Sequence, residues 1–525
     1  MQNPVRNAAV ITTPTAKVRW AIFFAVALLA LIVRLPQLGE RPMHTDEAVN
    51  AYLTGQLLAG EKFHYDPQDR HGPVLYLLAK PVVKLCGAKN YSELTESQLR
   101  LTPVIAGSGM VLLFGFAVEM FGFIACLVAA LLFAFAPLPV YYSRYFIHET
   151  LFVAATFGLM LCAWRIGTSS TGSARTDKTR QLAGAVSGVP WLAALAGLCA
   201  ALMLACKETA VIHFFALALA LVACRFRTPS TGSARTDNSQ LTEPVRGFPL
   251  LKIMFTALAV FIFTTILLFT WFGQNWGGLT DLFRAIPRFA ARAGGEGHAK
   301  TFGYYFQLLD PLFILTILAV AGVYAAICDA GGGTRKAALP LVIYAAAGAL
   351  IYSAIPYKQP WLALNLWLPF ALLCGMGVAA IFELIKNPSE RWGAGIAGAF
   401  LLATLGAQTK EFCFDKPADE KNPYAYAHTG EDVLRLPGRI EELARQNKIS
   451  NPRIAVVAAD AWPLPWYLRK FSQAGFWQPG QEIGAADFVI TSGDVPEWKD
   501  CRAEYFGVRP GVLVILWTPA PSPRP

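Results

Sequence analysis

The chain has 525 residues, of which 55% are hydrophobic and only 15% charged, with a mean hydropathy of +0.42, whereas soluble domains carry about 25% charge. That excludes a disordered chain, a disulfide-stapled miniature and an ordinary soluble enzyme. The excess of 45 Lys and Arg over 35 Asp and Glu leaves +10, which in so apolar a chain reads as orientation charge between membrane spans and not as a nucleic-acid surface.

Apolar runs near 20 residues recur down to about residue 410, each long enough to cross a hydrocarbon core of about 30 Å. Arg6, Lys17 and Arg19 precede the first, over 20–33. No small-residue cleavage site follows and Arg34 comes directly after it, so the run reads as a retained span with the N-terminus inside. The stretch 39–100 is polar except for an apolar piece at 74–87, which holds Lys80, Pro81 and Lys84 and is too short to cross; it is expected to be interfacial or re-entrant. Ten further spans are expected over 101–119, 122–140, 150–166, 189–206, 210–225, 251–271, 307–328, 338–355, 362–384 and 393–410, about eleven in all. This parity puts the basic loops 167–188, 225–250, 329–337 and 385–392 inside, as the positive-inside bias requires.

Two inner loops share the octapeptide Ser-Thr-Gly-Ser-Ala-Arg-Thr-Asp, at 170–177 and 230–237. It is polar, has nothing to bury and carries no chemistry. Cysteines such as Cys126, Cys162, Cys199, Cys224 and Cys374 sit within apolar runs as small hydrophobes. Past 410 the character changes. Pro417, Pro423 and Pro437 punctuate a polar stretch; β-branched runs at 453–458, 487–491 and 512–517 then alternate with helix-like segments at 438–446 and 465–472. The fold class expected is a polytopic α-helical membrane protein, residues 1–410, carrying a small α/β domain, residues 411–525, on the outer side. Cys413 and Cys501 would there be a candidate disulfide.

Ionisable groups on the outer face are not explained by orientation charge. His44-Thr45-Asp46-Glu47-Ala48 follows the first span, and its paired acids suit a base, a divalent-cation site or a helix cap begun by Thr45 or Asp46. Asp66-Pro67-Gln68-Asp69-Arg70-His71-Gly72-Pro73 introduces the interfacial piece. Arg144, His148 and Glu149 lie between two spans, Lys207-Glu208 forms a very short turn, and Lys358 sits in Tyr357-Lys358-Gln359-Pro360-Trp361. Singly, each reads equally as a solvated loop or a snorkelling side chain. Together with Arg100 they emerge at one face, where cations would neutralise a lipid phosphate and a carboxylate would take a proton from an attacking hydroxyl or amide. The loop 272–306, with Gly294-Gly295, Glu296, Gly297 and His298, is expected to be flexible and to close over substrate. A transporter or flippase component is the rival reading. It would place polar groups near the bilayer midplane, often in broken helices.

The order of these short motifs resembles the membrane-embedded GT-C glycosyltransferases. Asp46-Glu47, Arg70-His71-Gly72-Pro73-Val74-Leu75-Tyr76, Arg100-Leu101-Thr102-Pro103, the segment from Ser143-Arg144-Tyr145 to Glu149, and Lys207 are similar to the protein O-mannosyltransferase and lipid A aminoarabinose transferase branch. Tyr357-Lys358-Gln359-Pro360-Trp361-Leu362 and Asp460-Ala461-Trp462-Pro463-Leu464-Pro465-Trp466-Tyr467-Leu468 are similar to a subgroup labelled flippase-associated. The resemblance implies transfer of a sugar from a polyprenyl-phosphate-linked donor to a protein, lipid or glycan acceptor. It implies Asp46 as base or metal ligand, Glu47 as its support and Glu149 as a second acid. Arg70, His71, Arg100, Arg144, His148, Lys207 and Lys358 would contact lipid phosphate or sugar. Relatives differ in metal dependence, so the resemblance leaves a divalent cation, Mg or Mn, at Asp46 and Glu149 as an option and not a requirement. The sequence departs from the pattern in having Glu149 where Asp is commoner, and Arg-His-Gly-Pro where His-Pro-Pro is.

Overall fold

The structure is a computed structural model that describes residues 14–68, 70–170, 180–225, 250–295, 297–310, 313–329, 337–493 and 501–519. Both octapeptides (Ser170 apart), Asp69, Glu296 and the inner basic residues Arg175, Lys178, Arg227, Arg235, Arg246, Arg335 and Lys336 lie outside the described residues.

Helices stand where the apolar runs do. α1 (Ala16–Arg34) leads to α2 (Thr45–Leu58) and α3 (Val74–Leu85), and α4 (Glu96–Phe121) returns through the bundle. Then come α5 (Phe123–Phe135), α6 (Pro137–Ser143), α7 (Glu149–Ser170), α8 (Arg180–Cys206) and α9 (Ala210–Arg225). After α10 (Leu250–Phe269), the segment expected to be a flexible loop holds two helices, α11 (Gly277–Arg292) and α12 (Tyr304–Leu309). α13 (Ile314–Asp329), α14 (Ala338–Ala354), α15 (Ala363–Leu384) and α16 (Pro388–Lys410) complete the bundle. Among the described residues six helices are long and apolar enough to cross a membrane alone, or seven with α5 and α6 taken as one bent span. α9, α13 and α14 are apolar but shorter. α3, with 12 residues and about 18 Å of length, stays short of a crossing.

The bend between α5 and α6 is 58° and has a local cause. Pro137 has no N–H to give the Phe133 carbonyl, and Arg34 donates to it instead at 2.7 Å, as well as to Ala134 O at 3.2 Å. The guanidinium at the end of α1 thus closes the gap that a proline opens in a neighbouring helix. α4 starts on a capping box, with Thr95 accepting from Gln98 N and the Gln98 amide accepting from Thr95 N.

Beyond α16 the chain forms α17 (Arg435–Gln446), α18 (Leu464–Tyr467) and a five-stranded sheet. Its strands are β1 (Ile454–Val457), β2 (Ala474–Trp477), β3 (Phe488–Ser492), β4 (Cys501–Arg509) and β5 (Val512–Pro519), in the order β2-β1-β3-β5-β4. β1 runs parallel to β2 and β3, while β5 is antiparallel to β3 and β4. Cys413 and Cys501 are free thiols: Cys413 is buried and directed at Pro137 O, and Cys501 lies on β4. The candidate disulfide is not formed.

The tail docks on the loops of one bundle face. Tyr467 accepts from Met43 N, Thr429 donates to Met43 O, Trp466 donates to Glu96, and Arg469 donates to Leu94 O. Each of these polar groups finds its partner across the seam, so desolvation is offset.

Candidate active site

Acids adjacent in sequence part ways in space. α2 opens on a capping box centred on His44, not on Thr45 or Asp46: Asp46 N donates to His44 Nδ1, and His44 N donates to Glu47. Helical geometry sends side chains i and i+1 about 100° apart, so Glu47 turns inward and Asp46 outward. Glu47 is 0% exposed and accepts from Arg100 Nε and Nη2 at 2.8 Å each, Phe146 N at 2.9 Å, and Arg41 Nη2 at 3.4 Å. Burial pushes its carboxyl up, but Arg100 and Arg41 outweigh that and hold it well below the usual range. Asp46, by contrast, has a side chain 46% exposed, 4.0 Å from His44 Nδ1.

Asp46 faces a cavity of about 450 Å³, the size of a small-molecule site. The walls come from distant segments: Asn50 on α2, Arg70 and His71 before α3, His148 and Glu149 at the start of α7, and Lys207 and Glu208 between α8 and α9. Arg288 and Arg292 come from α11, His298 from the following loop, Tyr352 from α14, and Tyr357 and Trp361 from the loop before α15. Asp460 and Trp462 come from the tail.

Ion pairs order this wall. Lys207 Nζ bonds Glu149 Oε1 in a pair almost closed to solvent. His71 Nδ1 lies 2.8 Å from Glu208 Oε2, and Tyr65 donates to Glu208 Oε1 at 2.6 Å. Burial raises the Glu208 carboxyl, yet His71 and Tyr65 together bring it down to about 2. His148 is buried, with Nε2 at 3.2 Å from Gly72 O, and burial aided by His71 and Lys207 depresses its basicity well below the ordinary value.

Of the ten site residues expected from the sequence, six therefore meet here: Asp46, Arg70, His71, His148, Glu149 and Lys207, joined by Glu208 and, through the loop after α11, His298. Four do not reach the wall. Glu47 is the anchor just described. Arg100 also donates to Leu38 O, Arg41 O and Pro42 O, which makes it the clamp for the link from α1 to α2. Arg144 does the same for Arg34 O and Pro36 O and lies over the Phe414 ring at 4.3 Å. Lys358 is buried and donates to Ile355 O at the end of α14. Each of these three cations satisfies carbonyls left by a helix end or turn, a role indistinguishable in sequence from phosphate binding.

The optional cation at Asp46 and Glu149 finds no all-protein cage. Among the described residues no three carboxylates, imidazoles or thiols converge on one point, and Glu149 is already neutralised by Lys207 where a Mg or Mn ion would need oxygen ligands. Arg288 and Arg292 fall outside the residues expected from the sequence, because 272–306 reads there as loop. Their four-residue spacing with Arg284, interleaved with Phe283, Ile286 and Phe289, is the helical signal that points to them.

ArnT from Cupriavidus metallidurans bound to undecaprenyl phosphate superposes with a TM-score of 0.57 over 94% of this chain and 97% of that one, at 13% identity. The chain has the GT-C fold. The archaeal oligosaccharyltransferase AglB from Archaeoglobus fulgidus, in complex with an inhibitory peptide and a dolichol-phosphate, matches this chain with a TM-score of 0.54. That match covers 90% of this chain and 69% of AglB, again at 13% identity. No protein-family model matches. A beta-glucosidase of Rhizobium radiobacter is 39% identical over 64 residues, which span only 12% of this chain and 8% of that protein.

Proposed function

We propose that this GT-C chain transfers a sugar from a polyprenyl-phosphate-linked donor to an acceptor at the outer face of a cell membrane. In this reading residues 1–410 form the membrane domain and 411–525 an extracytoplasmic one. The observation that carries the proposal is Asp46: an open carboxylate at the end of an apolar bundle, lining one cavity with Lys207, Arg70, Arg288 and Arg292. A lipid-borne donor keeps its hydrocarbon in the bilayer and offers its phosphate at this level. The likeness to ArnT bound to undecaprenyl phosphate supports the same class of donor.

The acceptor hydroxyl or amide attacks the anomeric carbon and gives its proton to Asp46. The bond from that carbon to the phosphate oxygen breaks, and its electron pair leaves on the lipid phosphate. Lys207, Arg70 and His71 stabilise the charge developing there, a contribution that grows in a site shielded from water. Glu149 and Glu208 orient Lys207 and His71. Glu47, Arg100, Arg144 and Lys358 act indirectly, by holding the loops that carry these groups.

The test is transfer by the purified full-length chain from a labelled polyprenyl-phosphate sugar, with Asp46→Asn alongside. Transfer by the parent that Asp46→Asn abolishes supports the proposal. Movement of labelled lipid across vesicles without sugar transfer refutes it in favour of a flippase.

A further inference from the structure

The motif Asp460 to Leu468 plays no part in that chemistry, yet Asp460 and Trp462 form part of the cavity wall. We infer that they build a subsite for a carbohydrate acceptor, pressed against Asp46 by the docked tail; the inference rests on the transferase reading and extends it to the acceptor.

Three observations carry it. The first is position. Arg509 on β4 bridges the tail to the start of α2, with Nη1 at 3.5 Å from Thr45 Oγ1 and Nη2 at 3.3 Å from Asp460 Oδ2. Asp460 is thereby tied to the residue next to the candidate base, and Trp462 N donates to Asp460 Oδ1 at 3.1 Å, fixing the backbone that carries the indole. The ring of Trp462 meets Tyr52 of α2 edge-on, with centroids 6.0 Å apart.

The second is polarity. On α11 the residues Ala285, Arg288, Phe289 and Arg292 line the cavity, while Phe283 and Ile286 are 70% and 65% exposed. That wall offers cations to a phosphate and an apolar flank to lipid. The tail wall differs: Asp460, 53% exposed, is paired with Arg509, so this side adds no surplus of positive charge. A phosphate thus belongs with the cations of α11, which leaves the tail residues for the acceptor.

The third is chemistry. A sugar ring has an apolar C–H face and a rim of hydroxyls. An indole beside a carboxylate and a guanidinium matches both, with the ring against the face and the charged groups on the rim. Trp361 and Tyr357 continue the aromatic lining. A peptide acceptor would call for a strand edge or an apolar groove. Among the described residues no strand of the sheet contributes to this wall.

The experiment is saturation-transfer NMR on the full-length chain in lipid nanodiscs, with maltotriose, mannotriose and diacetylchitobiose as probes, beside a titration with polyprenyl phosphate. At least one oligosaccharide is expected to bind. Trp462→Ala and Asp460→Asn should each weaken it by about ten-fold, with polyprenyl phosphate held as before. Asp460 lies at the surface of the tail, so Asp460→Asn carries the comparison if Trp462→Ala lowers the melting temperature. Oligosaccharide binding unchanged in both variants overturns the subsite. So does a Ser/Thr-rich peptide that binds in place of every oligosaccharide and is lost in Trp462→Ala, which would make the acceptor a polypeptide. A parent chain that holds oligosaccharide but no polyprenyl phosphate instead refutes the transferase reading and leaves the sugar site standing.

Discussion

Asp46 and Glu47 are chemically near-identical neighbours, and exchanging each for its amide should have opposite consequences. Glu47→Gln removes the negative charge between Arg100 and Arg41, which are 1% and 6% exposed. Breaking a buried ion pair from one side costs about 3–5 kcal/mol, because the stranded cation stays desolvated. Phe146 N and His44 N bond to different oxygens of Glu47, and the amide has one, so it keeps one of these bonds and sets its NH2 against the other donor; the middle of that range applies, about 4 kcal/mol. Against a typical total of about 5–15 kcal/mol, that is a large fraction. Asp46→Asn touches no such pair and should change stability by under about 0.5 kcal/mol, while lowering transfer by about 10²–10⁴-fold through loss of the base. Thermal unfolding in detergent and turnover of a labelled polyprenyl-phosphate sugar, measured on both variants, separate the two effects. If Glu47→Gln melts with the parent and Asp46→Asn melts early, the assignment of anchor and base is reversed and the reasoning fails.

Lys207→Met strands Glu149 in a nearly closed pair; it should destabilise the chain by about 3 kcal/mol, and adding Glu149→Gln should restore most of that without restoring donor affinity, as a double-mutant cycle with donor titration would show. Gly72→Ala would drive a Cβ into the Ala205 carbonyl of α8, displacing the loop that holds Arg70 and His71; turnover should fall by about 10²-fold, since small misplacements at a reacting centre carry that penalty. His44, His148 and His428 are buried and kept neutral, burial being the main cause, so their folded values lie below the ordinary one near 6.5. Below that pH the unfolded chain binds the extra protons, and stability falls with acidification by up to about 1.4 kcal/mol per pH unit per histidine. Glu208, brought down to about 2, loses its own contribution only as pH falls from its unfolded value near 4.5 towards 2. A melting temperature that stays flat or rises from pH 7 to pH 5 would contradict the histidine prediction.

The helical bundle is legible in the sequence because apolar runs of bilayer length, repeated along a chain, seldom occur outside membrane spans; three of the five tail strands likewise show as β-branched runs. β2, with Gly475 in its four residues, and β4, with Arg502, Glu504 and Arg509 among its nine, carry no such pattern; their place in the sheet comes from pairing with β1 and β5. The shared face of Asp46, Arg70, Glu149 and Lys207 follows from span parity. The division of labour among the charges does not. A cation that caps a helix end, as Lys358 does at Ile355 O, and a cation that meets a phosphate have the same local sequence, and only the approach of other segments distinguishes them. The same holds for Asp460 and Trp462, which reach the cavity because the tail folds back on α2.

The glycines of the bundle bear on where such a protein can move. A methyl group on Gly377 or Gly322 would collide with the carbonyl of Leu318 or Leu373 across the contact between α13 and α15, and one on Gly375 would strike Ala125 O of α5. Backbone rests directly on backbone at these points, as small-residue contacts in membranes allow. Helices seated in this way have no compliant side chains between them to take up sliding, so rocking α13 or α5 against α15 would tear the contacts apart. Whatever opens and shuts during a catalytic cycle must hang from this rigid keel, in the connections above it.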